Sequence, residues 1–270
     1  MKIRNLISLK KIIPMLLLLA LLPVTAKSQA LIALLLGDKI QSDKVKLGLL
    51  LGAQGSSIMD AKTVAFKPNI SLAFGAYVDV KLDKKGKWIL QNYLLFKAPK
   101  GAAGMDAKTE SFSMVNPLVI ENFDMIQRNL TYLQLTPVMR YCFIPSLNLG
   151  VGPYVGVLMS ANDIYTRKKD VDKVTHKIKT SKYYSPVDFG LAFDLQCRLL
   201  KGNGLQINLR YEQGLINTYK SSTEKSGLNM GFQVGVGIPM TSKEQKEANK
   251  KMKQEKKQQK KQIKEQKKQN

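Results

Sequence analysis

From residue 45 onward the chain alternates in twos. In residues 186–199 the odd positions are Val187, Phe189, Leu191, Phe193, Leu195, Cys197 and Leu199, and the even ones Asp188, Gly190, Ala192, Asp194, Gln196 and Arg198. A strand sends successive side chains to opposite faces, so this stretch has one oily face and one of charged and small residues. The same pattern recurs over residues 46–57 (with Leu50 out of step), 69–82, 88–97, 127–143, 147–160, 205–214 and 228–239. That makes eight strands. Their connections run long, short, long, short, long, short, long, the short ones being turns at 83–86, 144–146 and 201–204.

Bacterial outer-membrane barrels have this inventory: an even strand count, short periplasmic turns and longer external loops. Strands of this length suffice, because about 9–11 tilted residues cross the hydrocarbon. A soluble lipocalin-like barrel also alternates, with its oily face inward. Eight strands, however, enclose an interior only just wide enough for side chains to fill. The large apolar residues here do not all fit such a space, and a face of Gly, Ser, Asn and Gln makes a poor charged exterior. The oily side therefore faces lipid, and closure leaves no unpaired backbone in the bilayer. The predicted fold class is all-β: an eight-stranded antiparallel transmembrane β-barrel with an N-terminal signal peptide and a basic C-terminal periplasmic tail.

The other face then lines the lumen and carries Asp79, Lys81, Arg140, Asp188, Asp194, Arg198, Arg210 and Glu212. Two readings stay open: a selectivity or binding site, or a paired charge network that fills and stiffens a small barrel. Buried charges are tolerable only when paired or wetted. No wide pore is expected from eight strands.

The ends of the chain divide the remainder. Lys2, Arg4, Lys10 and Lys11 precede a short apolar run at 12–22 and then small residues, which reads as a secretory signal over 1–30 with cleavage after Ala26 or Ala30. That run is far shorter than the ~20 residues of a spanning helix. Residues 31–44 form a short periplasmic segment whose apolar start is either a helix at the barrel mouth or the end of the signal's apolar region. The barrel occupies 45–240. Residues 241–270 are a Lys/Gln/Glu low-complexity tail with twelve lysines against four glutamates; Met252 and Ile263 are too few to make an apolar stripe.

Charge and chemistry narrow the functions. A net charge of +23 suits nucleic acid in a cytosolic protein, but export excludes that partner. The expected partners are outer-membrane lipid and lipopolysaccharide, with peptidoglycan or periplasmic and secretion proteins reached through the basic tail. Cys142 lies on a polar face and Cys197 on an apolar one, so no disulfide joins them. His176 is the sole histidine, set in a basic segment at 161–184, and a lone histidine makes neither a metal site nor a hydrolytic triad. There is no phosphate loop and no nucleophile elbow. No catalytic, cofactor-binding or metal-binding residue is predicted, and the protein is read as a non-enzyme. In 98–128 the cluster Met114, Val115, Pro117, Leu118, Val119 and Ile120 either packs over the barrel mouth or faces a partner.

Several stretches also carry a family resemblance: residues 29–39 (QALIALLLGDK), 90–96 (LQNYLLF), 132–137 (YLQLTP), 147–154 (LNLGVGPY), 187–191 (VDFGL) and 209–215 (LRYEQGL). On these the chain resembles the PorT-like outer-membrane β-barrel family of Bacteroidetes-type bacteria over nearly its whole length to Pro239. The resemblance implies an outer-membrane protein with a structural or secretion- and envelope-associated role; a small transport or ligand-binding barrel is the alternative. Asn92 stands where the family often has proline, and the lysine tail follows a last strand that in many such barrels ends the chain.

Overall fold

A computed structural model describes residues 45–59, 68–112, 122–144, 146–168, 173–199, 204–223 and 225–240. The expected signal, the 31–44 segment, the tail and the apolar cluster at 114–120 lie outside the described residues. Nine strands run in order: β1 (Val45–Met59), β2 (Asn69–Lys81), β3 (Trp88–Asp106), β4 (Met125–Ile144), β5 (Leu147–Lys168), β6 (Lys173–Lys179), β7 (Val187–Arg198), β8 (Gln206–Gly214) and β9 (Leu228–Pro239). All pairings are antiparallel. Eight of the strands close a ring in the order β4-β3-β2-β1-β9-β8-β7-β5, sealed by β4 against β5. A short α-helix, α1 (Ala107–Glu110), follows β3 and is capped by Asp106, whose carboxylate accepts the N–H groups of Lys108 and Thr109.

Two expectations need correction. Residues 98–128 and 161–184 are not simply loops. β3 continues to Asp106, β4 starts at Met125, β5 runs on to Lys168, and β6 is a ninth strand paired to the far part of β5. The extra strand stands outside the ring, because β5 pairs β7 over Leu147–Val157 and exchanges it for β6 from Asn162 onward. The reason lies in the pattern. Two register shifts in the β3–β4 ladder, after Leu95 and after Ala102, break the period of two. At the second, Gly101 has φ of 117° and a side chain there would run into the Arg128 carbonyl.

The faces are disposed as an apolar-out barrel requires. Phe193, Leu191, Val236, Ile238 and Leu149 are exposed, while Asp188, Asp194, Gln196 and Arg198 are buried. Leu50, out of step in its strand, points inward and is 1% exposed. Next to it Gly235 leaves the room it needs: a methyl group on Gly235 would lie 3.1 Å from Leu50 Cδ1. Small and large inward residues thus alternate around a narrow interior.

All the short turns fall at one end, together with the first residue of β1 and the last of β9. The turn after β2 is closed by the Gly86 N–H on the Asp83 carbonyl at 3.2 Å, with Gly86 at φ 67°. Beside it Trp88 packs edge-on to Tyr141 and Tyr141 to Phe143, both at 5.0 Å. This aromatic group at the edge of the oily band is an interface anchor.

Candidate functional site: the braced lumen and its aromatic mouth

The lumen is built in four tiers from the turn end upward. In the first, Arg198 of β7 donates to Asp79 of β2 at 2.8 Å, reaching half-way round the ring. Arg198 Nε also donates to Gln196 at 2.7 Å, and Gln196 Nε2 donates to Gln206 and Asn208 at 2.8 and 2.9 Å. In the second tier Asp194 accepts from two guanidinium groups, Arg140 at 2.6 Å and Arg210 at 2.8 Å. The ring of Tyr93 lies under Arg210, 4.0 Å from its guanidinium carbon, and its hydroxyl accepts from Arg140 at 2.6 Å.

The third tier centres on Lys100, fully buried, which donates to Glu212 at 2.8 Å and pairs with Asp188 at 3.4 Å. Lys100 on β3 and Glu212 on β8 again stand on opposite walls. Gln134 donates to the second Glu212 oxygen at 2.7 Å, and Tyr154 and Asn229 both donate to Asp188 at 3.2 Å. The fourth tier closes the loop end. Arg128 pairs with Asp163 at 3.6 Å and with Glu110 at 3.3 Å, and donates to the Tyr219 hydroxyl at 2.6 Å and to the Glu110 carbonyl. Over it sits an aromatic cap in which Phe112 stacks on Tyr183 at 4.3 Å and Tyr184 stacks on Tyr219 at 5.5 Å.

Of the residues expected in the lumen, Asp79, Arg140, Asp188, Asp194, Arg198, Arg210 and Glu212 are buried and lie in these tiers. Lys81 does not join them: it ends β2 half-exposed at the rim and enters none of the ion pairs among the described residues. Three partners escaped the sequence reading. Lys100 follows a register shift, Asp163 lies in a segment taken as loop, and Arg128 falls at the end of another. Arg128 was detectable, since it continues the even-numbered inward row Tyr132, Gln134, Thr136. With these included, the fully buried charged side chains among the described residues are five cations and five carboxylates. That equality is what a low-dielectric interior demands.

Among the described residues there is no cluster of His, Cys, Asp and Glu able to hold a metal. His176 lies exposed on β6, 6.1 Å from the ring of Phe123. Cys142 and Cys197 are both free. No described helix is long and apolar enough to cross a membrane, which leaves strands unaddressed.

A closed even-stranded ring, oily outside and ionic inside, with tight turns at one end, defines the class: a transmembrane β-barrel of the bacterial outer membrane. No protein-family model matches the chain, and no curated protein matches it. Among solved structures it is similar to Ail, the attachment invasion locus protein of Yersinia pestis, in complex with the heparin analogue sucrose octasulfate; identity is 10%, TM-score 0.40, and the match covers 73% of this chain and 99% of that one. It is also similar to Neisserial surface protein A, at 4% identity and TM-score 0.36 over 72% and 96% of the two chains. The outer membrane protease OmpT of Escherichia coli matches at 9% identity and TM-score 0.27 over 73% and 95%. These are likenesses of overall barrel, and they include proteins with and without enzymatic names.

Proposed function

We propose that this is an outer-membrane barrel of PorT-like type with a structural or secretion- and envelope-associated role, acting through its loop end and its basic tail and not as a wide pore. One observation carries the reading: the lumen is crossed from wall to wall by ion pairs, Arg198 to Asp79 near the turns and Lys100 to Glu212 above. A solute path would have to break these buried pairs, and each broken buried pair costs about 3–5 kcal/mol. A braced interior suits a protein whose work lies at its ends. The lumen charges are then a stiffening network, and the expected partners are lipopolysaccharide at the loop end and envelope polymer or secretion proteins at the tail.

Single-channel recording in a planar bilayer tests this. The intact protein is expected to give no steady open level; a large sustained conductance would return it to the transport reading. The tail's share is tested by purifying the intact barrel from outer membrane with and without residues 241–270. Recovery of the same envelope partners at the same salt by both forms would remove the tail from the account.

A further inference from the structure

The strand β6 is a sheet edge. It pairs with β5 over Lys168↔Lys173 to Asn162↔Lys179, and no described segment pairs with its other side. Just below it the edge is covered, because the Ser185 N–H donates to Thr218 and the Lys220 N–H to Tyr183. Above that point no described segment covers this side of β6, and Val174, Thr175, His176, Lys177 and Lys179 are all exposed.

The pairing also shows which backbone groups are free. The Thr180 N–H donates to the carbonyl of Ala161, directly opposite it, so Thr180 faces β5. Antiparallel strands alternate in this respect. Ile178, His176 and Val174 therefore also turn their backbone groups to β5, while Lys179, Lys177 and Thr175 turn theirs away. The side chains divide in the same way: Ile178 packs on the buried cluster and His176 on Phe123, leaving the lysines on the outer face.

We propose that the free edge of β6 is a strand-addition site for an extended acidic segment of a partner protein. The open ladder supplies backbone affinity, and alternate side chains supply selection. Lys177 and Lys179, two residues apart on one face, select carboxylates at the same spacing. The same lysines exclude a second copy of this chain, since antiparallel pairing of β6 with itself sets lysine against lysine. Charged edges protect a sheet against indiscriminate pairing; here they leave one class of strand acceptable. The inference rests on the proposed role for the loop end, but its test needs neither a conductance result nor a membrane orientation.

The experiment uses the full chain in lipid nanodiscs, with both ends open to solvent, and a fluorescent peptide of alternating glutamate and valine. The peptide is expected to bind, and the amides of Thr175, Lys177 and Lys179 to gain protection from hydrogen exchange. Thr175→Pro removes an outward N–H without touching the β5 ladder and weakens binding about tenfold, the worth of one or two hydrogen bonds. Charge reversal by Lys177→Glu with Lys179→Glu shifts preference to the matching lysine–valine peptide. On the unaltered protein, the same acidic peptide N-methylated at alternate residues should fail to bind. If the methylated peptide or heparin competes equally well, the surface is a general polyanion site and strand addition is wrong; absence of any binding overturns it too.

Discussion

Arg140 on β4 reaches Asp194 on β7 across an intervening strand, and the residue between them on β5 is Gly150. In register, Arg140 stands opposite Gly150 and Gly150 opposite Asp194. The guanidinium closes on the carboxylate at 2.6 Å because the middle position has no side chain. Arg210, directly opposite Asp194 on β8, completes the clamp. A single carboxylate thereby ties three walls of the barrel together.

Asp194→Ala should therefore be among the most damaging changes in the lumen. It leaves Arg140 without its ion-pair partner and Arg210 with only the longer pairing to Glu212 at 3.9 Å, both guanidinium groups still buried. Breaking a buried pair from one side costs about 3–5 kcal/mol. Urea unfolding in lipid vesicles measures it, and a loss under about 1 kcal/mol, the range of an exposed pair, would show that the clamp is wetted.

Gly150→Ala tests the space and not the charge. A methyl group there would lie 2.6 Å from Val138 Cγ1 and 2.9 Å from Arg140 Cγ, closer than side chains normally approach. Overpacking of this kind costs about 1–3 kcal/mol. The expected result is a lower midpoint of unfolding with the strand spectrum retained; an unchanged midpoint would mean that Arg140 moves aside freely.

How legible all this was depended on what wets the outer face. Where lipid does, every second residue must be oily, and stretches such as Val187–Arg198 declare strand, face and register together. Beyond the oily band water wets the outside, which is free to be as polar as the inside, so the alternation vanishes while the hydrogen-bonded ladder continues. That is why β6, with Thr175 and Lys177 outward and His176 inward, reads as a basic loop. The lumen divides likewise. Asp188 and Asp194 are visible as breaks in an oily rhythm, whereas Lys100 sits in Ala98-Pro99-Lys100-Gly101, downstream of a bulge that resets the count. Which carboxylate each cation meets across the ring depends on closure, a property of the whole barrel and not of any segment.

At the turn end, Asp83 gives a pH-dependent signal. Its carboxylate accepts the Trp88 N–H at 2.8 Å, and that backbone hydrogen bond holds its pKa below the ordinary aspartate value of about 3.9. A depressed pKa means the stabilisation is complete above the unfolded value and is lost as pH falls through the folded one. Trp88 is the sole tryptophan, so its fluorescence reports the turn. Acid titration should show a transition in Trp88 emission below about pH 3.9, absent in Asp83→Ala. A transition identical in both proteins would assign it elsewhere.

The direction of the oily face is open to the plainest test. Leu209 lies between Asn208 and Arg210, so it is level with the Asp194 clamp on the opposite side of the wall, and it is 37% exposed. In a membrane barrel that level is hydrocarbon, and an arginine placed near the midplane costs about 2–4 kcal/mol. Leu209→Arg should lose that much in vesicle-based urea unfolding. Lys84→Arg, in the exposed turn, should stay within about 0.5 kcal/mol of the parent. Were Leu209 instead facing water, arginine would be accepted there as readily as at position 84. Equal stability of the two variants would then mean that the outer surface does not meet lipid, and the braced lumen would belong to a soluble barrel.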